Sequence, residues 1–478
     1  MRATRSRPVF LGLGALLITL TVSTRSAAQT QAPEPIYVEQ VLRSVEMHHP
    51  QIRAAVARLQ RAQGDALSAR GAFDPRLKAS GDVLTGGYYE LRRVDVELLQ
   101  PTPIWGTDLY AGYRLGLGVE DERFPSYYPW ETLEGGEVRA GIRIPLWRDG
   151  VFDPRRAARQ RTALLRDAAE DGVAGAQLDL LLRGAESYWR TVAAGQAVGV
   201  AEALLQLAET RQEQIEQRQE QGAVARITVL DNERALFDRQ RKLVVARRKF
   251  AKAAFNLSLF LRNSDGAPVR ATEEELPSDI APPEPPPLQV DDVADTLVSC
   301  HPKVRQLQGK LAAARVSRRL ARTQVAPEIA ADFEVSRDLG DATRNITLPG
   351  TNFKAGVLFS MPLPLRKARG KARAASAKVT ALEQRLRFLR DRLQAKTRDL
   401  ATRVRAALER LTVAKDLRSR AEDLAEAERQ RFQLGAGTLL TVNIREQAAA
   451  DAQLDYLQAN TDAWASWTAW RTLAAVEC

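Results

Sequence analysis

The feature that most constrains this chain is that its second half repeats its first. Laying Val38–Ser80 on Val290–Asp332, an offset of 252, needs no gap and gives 11 identities over 43 positions. They include His49/His301, Pro50/Pro302, Arg70/Arg322 and Pro75/Pro327. A second echo sets Arg218, Gly222-Ala223, Thr228-Val229 and Glu233 against Arg431, Gly435-Ala436, Thr441-Val442 and Glu446. A third sets Gly141 and Pro145-Leu146 against Leu358 and Pro362-Leu363. Three echoes in one order argue for two copies of a structural unit, residues 29–265 and 289–478. The join, residues 266–288, holds seven of the 23 prolines and reads as an extended linker.

Within each copy the order is helix, strands, long helix, helix. Residues 154–221 and 366–434 contain no proline past their first residues and little glycine. At 1.5 Å per residue each would reach roughly 100 Å. In the second, Leu382, Leu386, Leu389, Leu393, Leu400, Val404 and Leu411 keep the three-four spacing of a coiled coil. The shorter helices, Pro50–Ala72 with 227–261 and 302–325 with 440–473, would stack end to end beside the long ones to make rods. The turns between them fall at 222–226 and 435–439.

The β segments, 77–146 and 328–363, alternate with period two. Leu109, Ala111, Tyr113, Leu115 and Leu117 interleave with Tyr110, Gly112, Arg114 and Gly116; Phe353, Ala355, Val357 and Phe359 form a similar set. An apolar face backed by a charged one suits a barrel wall between lipid and water. A half-exposed sheet on a soluble domain would show the same alternation. Eleven of the 29 aromatic residues fall between Phe73 and Trp147. Tyr88, Tyr89, Tyr127, Tyr128 and Trp130 among them are candidates for an interfacial belt. The first copy has room for four strands where the second has two. The sequence does not decide whether the added hairpin lengthens the exterior end or raises the strand count.

Residues 1–28 read as a secretory signal, with Arg2, Arg5 and Arg7 ahead of an apolar stretch and Ser26-Ala27-Ala28 at the cut. The signal takes four arginines and no acid with it, so the net charge of +11 falls to +7 and a nucleic-acid partner is not expected. No later stretch is apolar for the roughly 20 residues of a membrane-spanning helix, so any membrane passage should be by a barrel. Cys300 and Cys478 are far apart in sequence and are weak grounds for a bridge.

Enzyme chemistry and metal binding find little material. The histidines are His48, His49 and His301, the latter two at equivalent repeat positions before proline, which fits helix entry better than metal ligation. No phosphate loop, zinc-protease or nucleophile-elbow motif is present, and no catalytic residue, cofactor or metal is expected. Trp464, Trp467 and Trp470 read as helix packing.

The signal, the paired His-Pro helix starts, the paired Pro-Leu strand ends and the paired Gly-Ala turns resemble the TolC family of outer-membrane efflux proteins over about residues 36–475. The resemblance implies a mainly helical chain with β strands: a coiled-coil barrel in the periplasm below a β-barrel shared by a homotrimer in the outer membrane. It implies a non-enzymatic exit duct working with a periplasmic adaptor (membrane fusion protein) and an inner-membrane transporter of RND, ABC or MFS type. By the same resemblance Gly222, Ala223, Val224 and Thr228 with Gly435, Ala436, Gly437 and Thr441 form the adaptor-contacting tip. The family often constricts its tunnel with acids six and nine residues after the second-copy glycine. Thr441 and Ile444 stand there, leaving Asp231, Arg445 and Glu446 as the nearest gate candidates. A periplasmic adaptor or a coiled-coil scaffold without channel activity is the alternative, opposed by the duplication and the strands.

Overall fold

The computed structural model describes residues 35–85, 91–118, 132–286, 288–341 and 350–476. The signal and all five candidate belt residues, Tyr88, Tyr89, Tyr127, Tyr128 and Trp130, lie outside the described residues. The first copy comprises α1 (Val38–His48), α2 (Pro50–Arg70), β1 (Arg76–Leu84), β2 (Leu91–Pro101), β3 (Asp108–Gly118), β4 (Glu137–Pro145), α3 (Pro154–Glu220) and α4 (Arg226–Leu257). The second comprises α5 (Val290–Cys300), α6 (Pro302–Thr323), β5 (Glu328–Asp338), β6 (Thr351–Ser360), α7 (Arg366–Gln433) and α8 (Leu439–Ala474).

The helices form a wall four rods wide. α3 lies against α2 and α6 in its first half and against α4 and α8 in its second, and α7 follows α6 and then α8. The rods therefore run in the order α2/α4, α3, α6/α8, α7. The leucine seam of α7 is the glue between the last two. Leu386 and Leu393 pack with Val304 and Leu311 of α6, Leu400 and Val404 with Trp470 and Leu473 of α8. One 18-residue window of α3 is apolar enough to cross a membrane by composition, but α3 is the inner rod of the wall, packed along both sides.

Two short helices were not separated by sequence reasoning. α1 and α5 precede the His-Pro steps, and His49 and His301 end them. Each imidazole Nδ1 then accepts the N–H of the second residue beyond it, Gln51 and Lys303, both at 3.1 Å, capping α2 and α6. Proline at the first helical position fits because its missing N–H would have no partner there.

The proline-rich join is a strap. Ala271 and Leu276 are buried in the waist core with Val41, Val192, Val198 and Leu257. Asn460 and Trp464 of α8 donate to the carbonyls of Ile280 and Ala281 at 2.6 and 2.9 Å. Trp464 also stacks on Trp189 with ring centroids 5.4 Å apart. A polypeptide without its own ladder is held here by side-chain donors from the helices it crosses. Cys300 is disulfide-bonded, and the one other cysteine in the chain is Cys478. Cys478 lies outside the described residues.

Candidate functional site

Among the described residues six strands form one antiparallel sheet in chain order, β1 to β6. The two copies join where Glu137–Pro145 pairs with 330–338. Alternation sorts the side chains cleanly. Leu77, Val83, Val94, Leu98, Leu109, Tyr113, Val138, Phe333, Phe353, Val357 and Phe359 share one face, and all are exposed, Phe353 at 84% and Leu77 at 73%. This is a large apolar surface with no cover among the described residues.

The opposite face is an ionic lattice. Asp95 of β2 receives Arg93 at 3.0 Å, Arg114 of β3 at 3.2 Å and Arg139 of β4 at 2.8 Å. Arg139 also meets Glu97 at 2.9 Å and Glu334 of β5 at 3.5 Å. Tyr110 donates to Glu334 at 2.9 Å. Its ring lies across Gly141, where an added Cβ would stand 2.3 Å from Tyr110 Cζ; the glycine is needed for that close approach. The lattice crosses four strands, so each charge that is drawn away from water finds an opposite partner.

At the far end of the wall, α3–α4 and α7–α8 close in matching turns. Gly222 and Gly435 have φ of +73° and +76°. The following N–H groups, of Ala223 and Ala436, reach back to the carbonyls of Arg218 and Arg431 at 2.8 Å each, a Schellman closure. A Cβ on either glycine would meet nothing within 4 Å, so the left-handed backbone is what requires glycine. Gly222, Ala223, Gly435 and Ala436 are exposed at the tip; Val224, Thr228, Gly437 and Thr441 are half-buried. Ile215, Val229 and Leu439, with Val224 and Phe432 against them, bind the two turns to each other.

The gate candidates part company. Asp231 and Arg445 are exposed. Glu446 is 3% exposed and faces the inside of the wall, so among the three it is not placed to meet passing solutes. It pairs with Arg211 of α3, with Arg239 of α4 at 3.0 Å and, at 3.6 Å, with Arg429 of α7. Asn443 supplies a further acceptor to Arg211 at 3.1 Å. Burial pushes the Arg239 guanidinium down, and Glu446 opposes that push. Arg211 and Arg239 were missed in the sequence because a basic residue on a charged helix looks like solvent-facing surface. Nothing local marks the three rods that meet over it.

Residues 294–476, nearly all of the second copy, match the family model described as outer membrane efflux protein. Residues 294–476 therefore carry an outer membrane efflux protein domain. The first copy is joined to the matched region by the duplication and by one continuous sheet. By sequence, no curated protein matches the chain. Solved structures similar in fold include the outer-membrane channel OprN (17% identity, TM-score 0.63, 92% of this chain and 90% of that one). The outer membrane protein VceC from Vibrio cholerae is 16% identical, with TM-score 0.63 over 91% of this chain and 96% of that one. The open-state MtrE outer membrane channel of Neisseria gonorrhoeae is 13% identical, with TM-score 0.62 over 91% and 88%. The chain therefore shares the fold of these outer-membrane channels, one antiparallel sheet at the end of a helical wall.

Proposed function

We propose that three copies of this chain form the exit duct of a tripartite efflux or type I secretion system. The duct passively conducts solutes or proteins delivered by an inner-membrane transporter through a periplasmic adaptor. The observation that carries this reading is the sheet: one face mainly apolar and bare, with Arg92 and Arg337 near its outer rim, the other a charged lattice. A soluble scaffold would have to hold that apolar face against water, whereas lipid accepts it and a water-filled bore suits the lattice.

The edges of the helical wall support assembly with identical copies. α4 bares Leu230, Phe237 and Val244 at heptad spacing, flanked by exposed Arg234, Arg241 and Arg248. α7 bares Val413, Leu417 and Leu424 beside exposed Asp416 and Asp423. Both edges bare apolar residues and run in opposite directions, so α4 of one copy fits α7 of the next, an interface that closes into a ring. The exposed small residues Gly222-Ala223 and Gly435-Ala436, with Val224, Thr228, Gly437 and Thr441 behind them, are the adaptor's docking point in this reading. Asp231 and Arg445 are the polar groups that remain as gate residues.

The test is direct. The purified protein should run as a heat-modifiable trimer from outer-membrane fractions and give discrete conductance steps in planar bilayers. A soluble periplasmic monomer would sink the proposal.

A further inference from the structure

The first copy contributes four strands and the second two, and the extra hairpin β2–β3 is part of the wall. Its ladders run on both sides. β2 pairs with β3 over 11 residue pairs, β1 with β2 over nine, and β3 with β4 over seven. Its side chains obey the same division as the rest of the sheet, Val94, Leu98, Leu109 and Tyr113 on the apolar face, Arg93, Asp95, Glu97 and Arg114 in the lattice. Its turn is tied to the helical end of the sheet. Trp105 Nε1 donates to the Pro145 carbonyl at 2.8 Å, and Arg155 at the start of α3 holds Asp108 at 2.6 Å. A hairpin projecting from the exterior end would have its turn at the opposite pole.

Resting on the trimer reading above, we infer that the outer-membrane barrel has eighteen strands, six from each copy, closed by β6 of one copy against β1 of the next. Six strands cannot close on themselves, since about eight are needed to leave room for inward side chains. In lipid an open edge leaves backbone groups unpaired, so each subunit's two edges must find neighbours. β1 leads away from the helices and β6 returns, so the new pair is antiparallel like every other in the sheet. They are nine and ten residues long, the length of a membrane-spanning strand.

The widths of the two layers agree with this count. Six strands about 4.8 Å apart and tilted ~40–45° fill an arc of about 40 Å. Four helices spaced ~9–10 Å fill about 38 Å. Three such arcs make a ring of backbone diameter about 38 Å in both layers. Four strands from each copy, with β2–β3 left out, would fill only about two-thirds of the arc above the same helices. The barrel therefore continues the helical bore at full width, and the limit on cargo size falls to the periplasmic tip.

The experiment is strand counting by cryo-electron microscopy of the intact protein in lipid nanodiscs, beside a cross-linking pair. Eighteen strands in a trimer is the expected result. Twelve strands with β2–β3 folded outside the wall would overturn the inference and leave the channel reading standing; a particle that is not a trimer would overturn both. In outer membranes, the variant Leu77→Cys/Leu98→Cys should form an intrachain disulfide across β1 and β2. Leu77→Cys/Ile144→Cys should not, because β2 and β3 stand between β1 and β4. An efficient bridge in the second variant refutes the count even where particles resist imaging.

Discussion

Removing the carboxylate of Glu446 tests whether the helical wall is held by a buried charge cluster. Glu446 sits 3% exposed between Arg211, 7% exposed, and Arg239, 3% exposed. It accepts from both guanidinium groups, at 3.0 Å in the case of Arg239. With Glu446→Ala the two cations stay buried and face each other, with the Asn443 carboxamide oxygen as their remaining shared acceptor. Breaking a buried pair in this way costs about 3–5 kcal/mol. The cavity left by the side chain adds to the cost. Glu446→Gln keeps the shape and one acceptor while losing the charge, and should fall between Ala and wild type. Replacing all three residues together, Arg211→Met/Arg239→Met/Glu446→Leu, removes the desolvation penalty along with the pairing and should recover most of the loss. The assay is guanidinium unfolding followed by tryptophan fluorescence, since Trp189 and Trp464 are stacked in the waist core farther along the same wall. A Glu446→Ala loss under ~1 kcal/mol, the size of a surface pair, would refute the reasoning, as would a triple variant no better than the single one.

Other outcomes follow from the same geometry. Leucine at Gly222 or Gly435 must adopt a left-handed backbone at a cost of about 1–2 kcal/mol; export assays should show loss of transport with trimer levels unchanged, and retained transport would overturn the tip assignment. Phe237→Glu places an acid at the centre of the basic α4 edge; detergent-solubilised protein should fail to trimerise on size-exclusion chromatography while its helical circular dichroism persists. Burial, with Lys303 nearby, lowers the His301 imidazole to about 4. The unfolded chain takes up that proton near 6.5, so it binds more protons than the folded chain between the two values. Stability should be full above about pH 6.5 and fall by about 3 kcal/mol as pH drops to 4; His301→Asn should flatten that slope in unfolding curves collected across the range.

Much of this molecule was legible because its elements are long and their periods sustained. The leucines from Leu382 to Leu411 mark a seam, and the alternation at 109–117 marks a two-faced strand, whatever the surroundings. Gly222 and Gly435 were readable because a positive φ leaves its signature in residue type. The rest depended on neighbours remote in sequence. Glu446 resembled Arg445 as a charged residue on a polar helix until α3 and α4 were seen to cover it. The proline-rich join looked like a free spacer because proline content reports stiffness and not contact; Asn460 and Trp464, nearly two hundred residues away, supply the donors that fix it. Whether the additional hairpin belonged to the wall turned on Trp105, Asp108 and Arg155, whose contacts no spacing announces.

The ionic lattice has a consequence for biogenesis. Arg93, Arg114 and Arg139 are compensated by Asp95, Glu97 and Glu334 inside a single chain, so a subunit of the proposed trimer would carry a neutralised charged face before it met its partners. Its hazard in transit lies on the other side, where Leu77, Phe353, Val357 and Phe359 are bare. An escort that shields the greasy side of the sheet would suffice to bring the subunit to the bilayer, and assembly would finish by trading that escort for lipid.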